Sequence, residues 1–399
     1  MSLNSTPSGE RVHIGFFGRR NAGKSSLVNA FTNQNLSIVS DVKGTTTDPV
    51  FKAMELLPIG PVMIIDTPGL DDEGELGKLR IKKCMEIVRK VDIAILVIDM
   101  GLGLSDEDEQ IYDMLKQREI PTMIVMNKSD KYPDFKTSSL DKLGVPAKNV
   151  LYVSAINGVG VNELRERVAA SVPELEPERD LLPPELGEGS VIVLVIPIDS
   201  SAPKGRIILP QQQVLRAALE KGVISVCCKE TELASVFDKL AALPDLVITD
   251  SQAFAKVNEV VAGRTKLTSF SILMSKYKGD YEWQLNGASA FDSLEDGDLV
   301  LIAEGCTHHR QCEDIGTVKL PKWIESATGK KPVYEFCSGN EFPDEDAITK
   351  YKLVIHCGGC MLNARELRYR VDLCREKGVP ITNYGMAIAK LNGILDIVT

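Results

Sequence analysis

The segment GRRNAGKS, Gly18–Ser25, matches the pattern GxxxxGK[ST] and lies between an apolar run and a helical pattern. In that context a glycine-rich turn aims successive backbone N–H groups and a helix N-terminus at phosphate oxygens. Gly18, Asn21, Ala22, Gly23, Lys24, Ser25 and Ser26 are therefore expected to hold a nucleotide, with Lys24 on the β/γ oxygens and the Ser25 hydroxyl on Mg2+. Asp66-Thr67-Pro68-Gly69 ends a second apolar run, where Asp66 can hold a Mg2+ water and the Gly69 N–H can meet the γ-phosphate. Asn127-Lys128-Ser129-Asp130 ends another, and the Asp130 carboxylate suits the N1–H and N2–H2 donors of guanine. Adenine would leave that carboxylate unpaired, a strong ground for rejection. Ser154-Ala155 would offer a backbone N–H to guanine O6. Four segments in this order, each at the end of an apolar run, point to GTP.

A second group lies near the other end. The cysteines number nine, an odd total that argues against a disulfide framework, and six of them follow residue 300, a clustering that suits metal or redox chemistry. Cys306-Thr307-His308 follows LVLIAEG, and His356-Cys357-Gly358-Gly359-Cys360 follows YKLVI. If both runs are parallel strands, three thiolates and two imidazoles emerge on one sheet edge. A Cys3His zinc site is one reading. An iron–sulfur cluster with three cysteines and a weaker fourth ligand, drawn from His308, His356 or Glu313, is the other, and it would leave one iron open to exchange. Cys227 and Cys228, Cys84 and Cys374, and His13 read as core; Cys312 and Cys337 are closer cases, and Cys337, ending the run VYEF, could border the metal site but is not expected as a ligand. The run Asp106–Glu109 should open a helix, where its charge suits the dipole.

The elements that must position these groups alternate strand and helix. Residues 8–172 read as a nucleotide-binding domain with a mostly parallel sheet and one antiparallel edge near Phe51–Leu57. Residues 173–189, rich in proline and acid, read as a solvated linker. Residues 190–265 hold three strand–helix repeats, a small parallel α/β module whose exposed edges suit self-association. Residues 266–399 form a third α/β unit carrying the cysteines. The fold class is thus α/β in three domains.

The chain of 399 residues carries a net charge of −10, so a broad basic nucleic-acid face is not expected. No apolar run reaches a membrane-spanning length, and MSLNSTPSGERV has no basic start followed by an apolar block, so a cytoplasmic location is expected.

The order and form of the nucleotide motifs resemble the TrmE/Era-like GTPases of tRNA modification and ribosome assembly. That resemblance makes GTTTDPV, Gly44–Val50, the switch loop, with Thr46 (or Thr45) as the Mg2+-ligating threonine. It places Leu70 where Ras-like proteins carry the water-orienting glutamine, and makes Asn21 similar to the asparagine that holds K+ in potassium-dependent members. The implied hydrolysis is slow and faster in K+. A GTPase head, a middle α/β module and a C-terminal CxH…HCxxC together resemble the HydF family, the maturation GTPases of FeFe-hydrogenases. The resemblance implies a 4Fe–4S cluster on Cys306, Cys357 and Cys360, with motif histidines His308 and His356. It also implies a homodimer that takes a di-iron precursor from two radical-SAM maturases and delivers it to apo FeFe-hydrogenase. The rival readings are a ribosome-assembly or tRNA-modifying GTPase and a GTPase switch with a structural Cys3His zinc.

Overall fold

The computed structural model describes residues 6–34, 49–69, 83–132, 143–172, 180–198, 207–305, 314–339 and 341–398. The chain divides into two compact units, Met1–Pro177 and Glu178–Thr399.

The first unit is built on a six-stranded sheet: β1 (Val12–Phe17), β2 (Val50–Leu56), β3 (Gly60–Asp66), β4 (Ile93–Asp99), β5 (Thr122–Asn127) and β6 (Val150–Val153), in the order β2-β3-β1-β4-β5-β6. β1, β4 and β5 are apolar almost throughout because helices cover both of their faces. One core gathers Ile14, Phe16, Leu27, Phe31, Ile95 and Val125 on one face, and another gathers Phe17, Ile65, Leu96, Ile111 and Leu115 on the opposite face. Only β2 runs antiparallel, on β3, and its Val50 and Phe51 side chains are exposed, as expected of an edge. The acidic run does open a helix, Asp106–Gln117, capped by Ser105, and Asp108 of that run turns inward to accept from Ser105.

The second unit carries two four-stranded sheets, both fully parallel. In the first, β7 (Val191–Val195), β8 (Ile224–Cys228), β9 (Leu246–Thr249) and β10 (Lys266–Ser269) lie in the order β10-β9-β7-β8. In the second, β11 (Leu299–Glu304), β12 (Val333–Ser338), β13 (Leu353–His356) and β14 (Ile381–Asn383) lie in the order β12-β11-β13-β14. A single buried cluster includes Val193, Val247 and Leu267 of one sheet with Val300, Ile302 and Ile355 of the other.

Three sequence expectations change here. The stretch expected as a solvated linker packs in its second half: Leu181, Leu182 and Leu186 are buried against Ile192 and Leu194. Their apolar spacing is outweighed in composition by neighbouring prolines and acids, which hid it. Strand β10, whose residues Lys266–Ser269 include a single apolar side chain, extends the middle sheet past residue 265. Cys227, expected in a core, is exposed because it and its buried neighbour Cys228 point to opposite faces of the edge strand β8, whereas Cys228, Cys84 and Cys374 are buried as expected.

Candidate functional site

Parallel pairing brings the nucleotide motifs to one sheet edge. Phe16 pairs with Asp66, and Asp99 with Asn127, so the turns that follow β1, β3, β4 and β5 open side by side. Gly18 has φ 131°, and a Cβ there would lie 2.2 Å from the Val97 carbonyl oxygen, so only glycine lets the chain leave β1 at this point. Gly23, at φ 91°, caps the helix Lys24–Thr32 and leaves room for the Asn127 amide.

Lys24 is buried, and its ammonium donates to the carbonyls of Gly18 and Arg19, both at 2.8 Å. It therefore sits within the loop whose N–H groups would face phosphate. Ser25 Oγ donates to Asp66 Oδ2 at 2.8 Å, while Asp66 Oδ1 is buried with no hydrogen-bond partner among the described residues. A hydroxyl and a half-satisfied carboxylate form an oxygen donor set that fits Mg2+. Gly69 lies so close to Arg20 that a Cβ would come 2.7 Å from the Arg20 backbone nitrogen, which brings the Asp66–Gly69 turn against the phosphate loop.

The base-side loops are tied together by hydrogen bonds. Asn127 Nδ2 donates to the Ala22 carbonyl, and the Ala155 N–H donates to Asn127 Oδ1 at 3.1 Å. Lys128, at φ 69°, donates to the Asn21 carbonyl and to Asp99 Oδ2. Ser154 Oγ donates to Asp130 Oδ1, and the Asp130 residue is otherwise exposed, facing outward as a base reader must. Asp99 escaped sequence reasoning, since a lone acid ending a strand has no motif around it. Arg19 also has a second attachment, to the Gly103 carbonyl and the buried Asp108 carboxylate. Asn21 is exposed at φ 59°, and Ser26 is half-buried on the first turn of the helix. Thr45, Thr46 and Leu70 lie outside the described residues.

The second cysteine motif lies at the end of β13, beside the end of β11, the strand that precedes Cys306. Ala303 pairs with His356, and the Cys357 N–H donates to the Ala303 carbonyl. Beyond β13 the chain turns over Gly358 and Gly359, the latter at φ 65°. The N–H of Gly305, at the end of β11, donates to Cys357 Sγ at 3.0 Å, and the Gly359 N–H approaches the same sulfur at 3.4 Å. The residue after Gly305 is Cys306; it lies outside the described residues, as do His308, Cys312 and Glu313. Among the described residues, no three His, Cys, Asp or Glu side chains group to hold a metal. The helix Phe270–Lys278 runs beneath the loop, and its buried Lys278 donates to the Leu362 carbonyl at 3.1 Å.

Burial first, then the neighbouring Cys357, push the Cys360 thiol up to about 12. Burial also pushes the Cys357 thiol up, against the opposing pull of the Gly305 and Gly359 N–H groups. The Gly305 and Gly359 N–H groups on Cys357 Sγ, with Cys360 three residues on in the same turn, form a donor set that fits a metal or cluster, which would hold both sulfurs as thiolates.

His356 is fully buried. Its Nε2 lies 3.1 Å from Arg370 Nη1 and its Nδ1 lies 2.7 Å from the Cys357 carbonyl. Burial first, then the Arg370 charge, push its pKa down to about 3. Expected as a candidate fourth ligand, His356 as placed has both nitrogens engaged. Cys337 pairs with Ala303 across β12 and β11, and burial pushes its thiol up to about 11. His13 is buried with Nδ1 2.8 Å from the Arg11 carbonyl, a satisfied core position.

Three family models match the chain: the 50S ribosome-binding GTPase over residues 13–128, the Hydrogen maturase F dimerization domain over 181–279, and the Hydrogen maturase F tetramerization domain over 282–398. The chain is 36% identical over 188 residues to the tRNA modification GTPase MnmE of Endomicrobium trichonymphae, covering 45% of this chain and 40% of that protein. It is 32% identical over 170 residues to the GTPase Der of Caldanaerobacter subterraneus subsp. tengcongensis, covering 42% of this chain and 38% of that protein. The chain thus spans about two fifths of the length of these curated relatives. A crystal structure of Aquifex aeolicus Era bound to GDP.AlF4− aligns with a TM-score of 0.36 and 20% identity, over 63% of this chain and 97% of that one.

Proposed function

The chain belongs to the HydF-type hydrogenase maturases with a TrmE/Era-like GTPase head, and from that premise we propose that it is a GTP-hydrolysing scaffold and carrier for a metallocluster. In this reading residues 8–172 bind GTP, 190–265 support self-association as a homodimer, and 266–399 carry a 4Fe–4S cluster. The scaffold receives a di-iron precursor made with two radical-SAM maturases and delivers it to apo FeFe-hydrogenase in the cytoplasm.

In the head, Lys24 and the loop N–H groups hold the phosphates, and Ser25, Asp66 and Thr46 hold Mg2+, which when bound neutralises charge developing on the transferred phosphoryl group. Gly69 reads the γ-phosphate, and Asp130 with the Ala155 N–H selects guanine. With leucine at position 70, no side chain there orients the attacking water, so hydrolysis is slow. A K+ ion beside Asn21 would raise it; equal turnover in K+ and Na+ removes that part of the proposal.

In the C-terminal unit, Cys306, Cys357 and Cys360 hold the cluster, which when bound supplies an iron with an exchangeable position. The observation that supports this most is the Gly305 N–H on Cys357 Sγ, since it brings the residue preceding Cys306 within a hydrogen bond of a second thiol. His308 and Glu313 stay as candidate fourth ligands. Zinc capture by the same thiols belongs to the rival reading of a stapled switch. The likeness to MnmE and Der favours a nucleic-acid role only for the head, because it covers less than half of the chain.

The test is anaerobic purification with iron, sulfide and zinc quantification and EPR, repeated on Cys306→Ser. A 4Fe–4S signal lost or strongly altered in the variant is expected. Zinc without acid-labile sulfide overturns the reading. A second arm asks whether the protein activates apo-hydrogenase and whether Lys24→Ala abolishes that activation.

A further inference from the structure

Arg370 is the largest side chain that is fully buried in the second unit, and every nitrogen of its guanidinium is engaged. It projects from the helix Ala364–Glu376. Nε and Nη2 donate to Glu366 Oε1 at 3.0 and 2.9 Å, Nη2 also donates to the Gly339 carbonyl at 2.6 Å, and Nη1 lies 3.1 Å from His356 Nε2. The Phe342 ring faces the guanidinium carbon at 4.9 Å. Gly339 follows β12 and its own N–H donates to the Glu304 carbonyl at the end of β11; His356 ends β13. The guanidinium therefore joins the ends of the two strands that flank β11, the strand leading to Cys306.

A guanidinium has donors and no acceptor. His356 Nε2 must then present its lone pair to Arg370, which leaves the ring proton on Nδ1. That proton is donated to the Cys357 carbonyl at 2.7 Å. Glu366 in turn holds Arg370, and its backbone N–H is fixed by donating to the helix-capping Asn363 Oδ1. The result is a chain from Glu366 through Arg370 and His356 to the backbone of the first cysteine of the CxxC turn.

We propose that Arg370 and His356 are positioning residues for the thiol site, fixing the Cys357 carbonyl so that its sulfur keeps the Gly305 and Gly359 N–H bonds, and that His356 is not itself a ligand. This rests on the cluster reading given above. N–H···S bonds and the orientation of ligand backbones tune the potential of a cluster, and losing such outer partners typically costs about 10–100-fold in metal affinity. A substitution that frees His356 from Arg370 should therefore change the site without removing a ligand.

The experiment compares the full-length wild type with Arg370→Lys, Glu366→Gln and His356→Gln after anaerobic reconstitution, with circular dichroism reporting that each chain has folded. Readouts are iron and sulfide content, the reduction potential, EPR line shape, and pulsed EPR for directly bound nitrogen. Expected are a wild type whose nitrogen coupling, with or without an imidazole ligand, is not lost in His356→Gln, and variants that keep a cluster with a shifted potential and line shape and lose iron to a chelator about tenfold faster. Glu366→Gln, nearly isosteric, keeps the test decisive where Arg370→Lys fails to fold. Variants matching the wild type in potential, line shape and iron loss overturn the inference alone. A nitrogen coupling in the wild type that His356→Gln removes also overturns it. A wild type that takes up no iron or sulfide overturns the cluster reading and this inference together.

Discussion

Ser25 Oγ donates to Asp66 Oδ2 at 2.8 Å, across 41 residues of chain. The other oxygen of that carboxylate is buried with no hydrogen-bond partner among the described residues. A half-satisfied buried carboxylate beside a hydroxyl is costly unless something positive completes it. Asp66→Asn should therefore keep the fold and lose the divalent cation. Isothermal titration should show Mg2+-dependent affinity for a guanine nucleotide falling about tenfold or more, with affinity in EDTA unchanged. Equal affinity in Mg2+ would show that the carboxylate does not serve the ion.

Asn127 joins two loops that the sequence keeps far apart, donating to the Ala22 carbonyl and accepting from the Ala155 N–H. Asn127→Ala removes the partner of a buried carbonyl and of a partly buried N–H, a loss of about 1–3 kcal/mol. Denaturant unfolding of the full chain, followed without nucleotide, should show that loss; an unchanged midpoint would mean the loops hold one another by other means.

Asp130 is held by Ser154 Oγ with its carboxylate otherwise outward. An amide in its place offers a donor where guanine also presents donors, and suits a base with a carbonyl at that edge. Asp130→Asn should weaken GTP by at least about 100-fold and favour xanthosine triphosphate. Competition between the two nucleotides measures it, and unchanged preference for GTP would refute the base-reading role.

The buried thiols yield a pH-dependent labelling pattern. Burial pushes Cys84 and Cys374 up to about 12, so both are neutral thiols at pH 8, and only a thiolate alkylates quickly. Cys227 is exposed on its edge strand. Iodoacetamide at pH 8, followed by peptide mapping, should modify Cys227 well before Cys84 or Cys374, and raising the pH to 9 should not bring the buried pair into reach. Equal rates for the three would contradict the burial described.

Much of the candidate site was legible beforehand because its parts are local. A phosphate loop needs its glycines and its lysine within eight residues of one another, and each motif announces the end of its own strand. The HCxxC turn was legible for the same reason, with its placement at the end of β13. Asp99 and Arg370 were not. One looks like an ordinary acid after an apolar run, and the other, four residues after Glu366, reads as half of a solvent-exposed helical pair. Their importance comes from what stands opposite them, Lys128 in one case and His356 in the other.

The second half of the supposed linker failed for a related reason. Composition around Leu181 and Leu186 is that of a solvated segment, and only the sheet against which they pack turns them into core. Strand β10 gave no signal because Lys266–Ser269 holds one apolar residue, and only its pairing with β9 marks it as a strand.

What the amino-acid order determined by itself is therefore short-range: which turns can bind phosphate, where strands end, which residue types are able to hold iron or magnesium. The tertiary structure decided the pairings, setting Ser25 against Asp66, the Gly305 N–H against Cys357, and Arg370 between two strand ends. Hydrogen bonds and burial act over a few ångströms of space, and distance along the chain says little about that until parallel strands bring distant residues to the same edge.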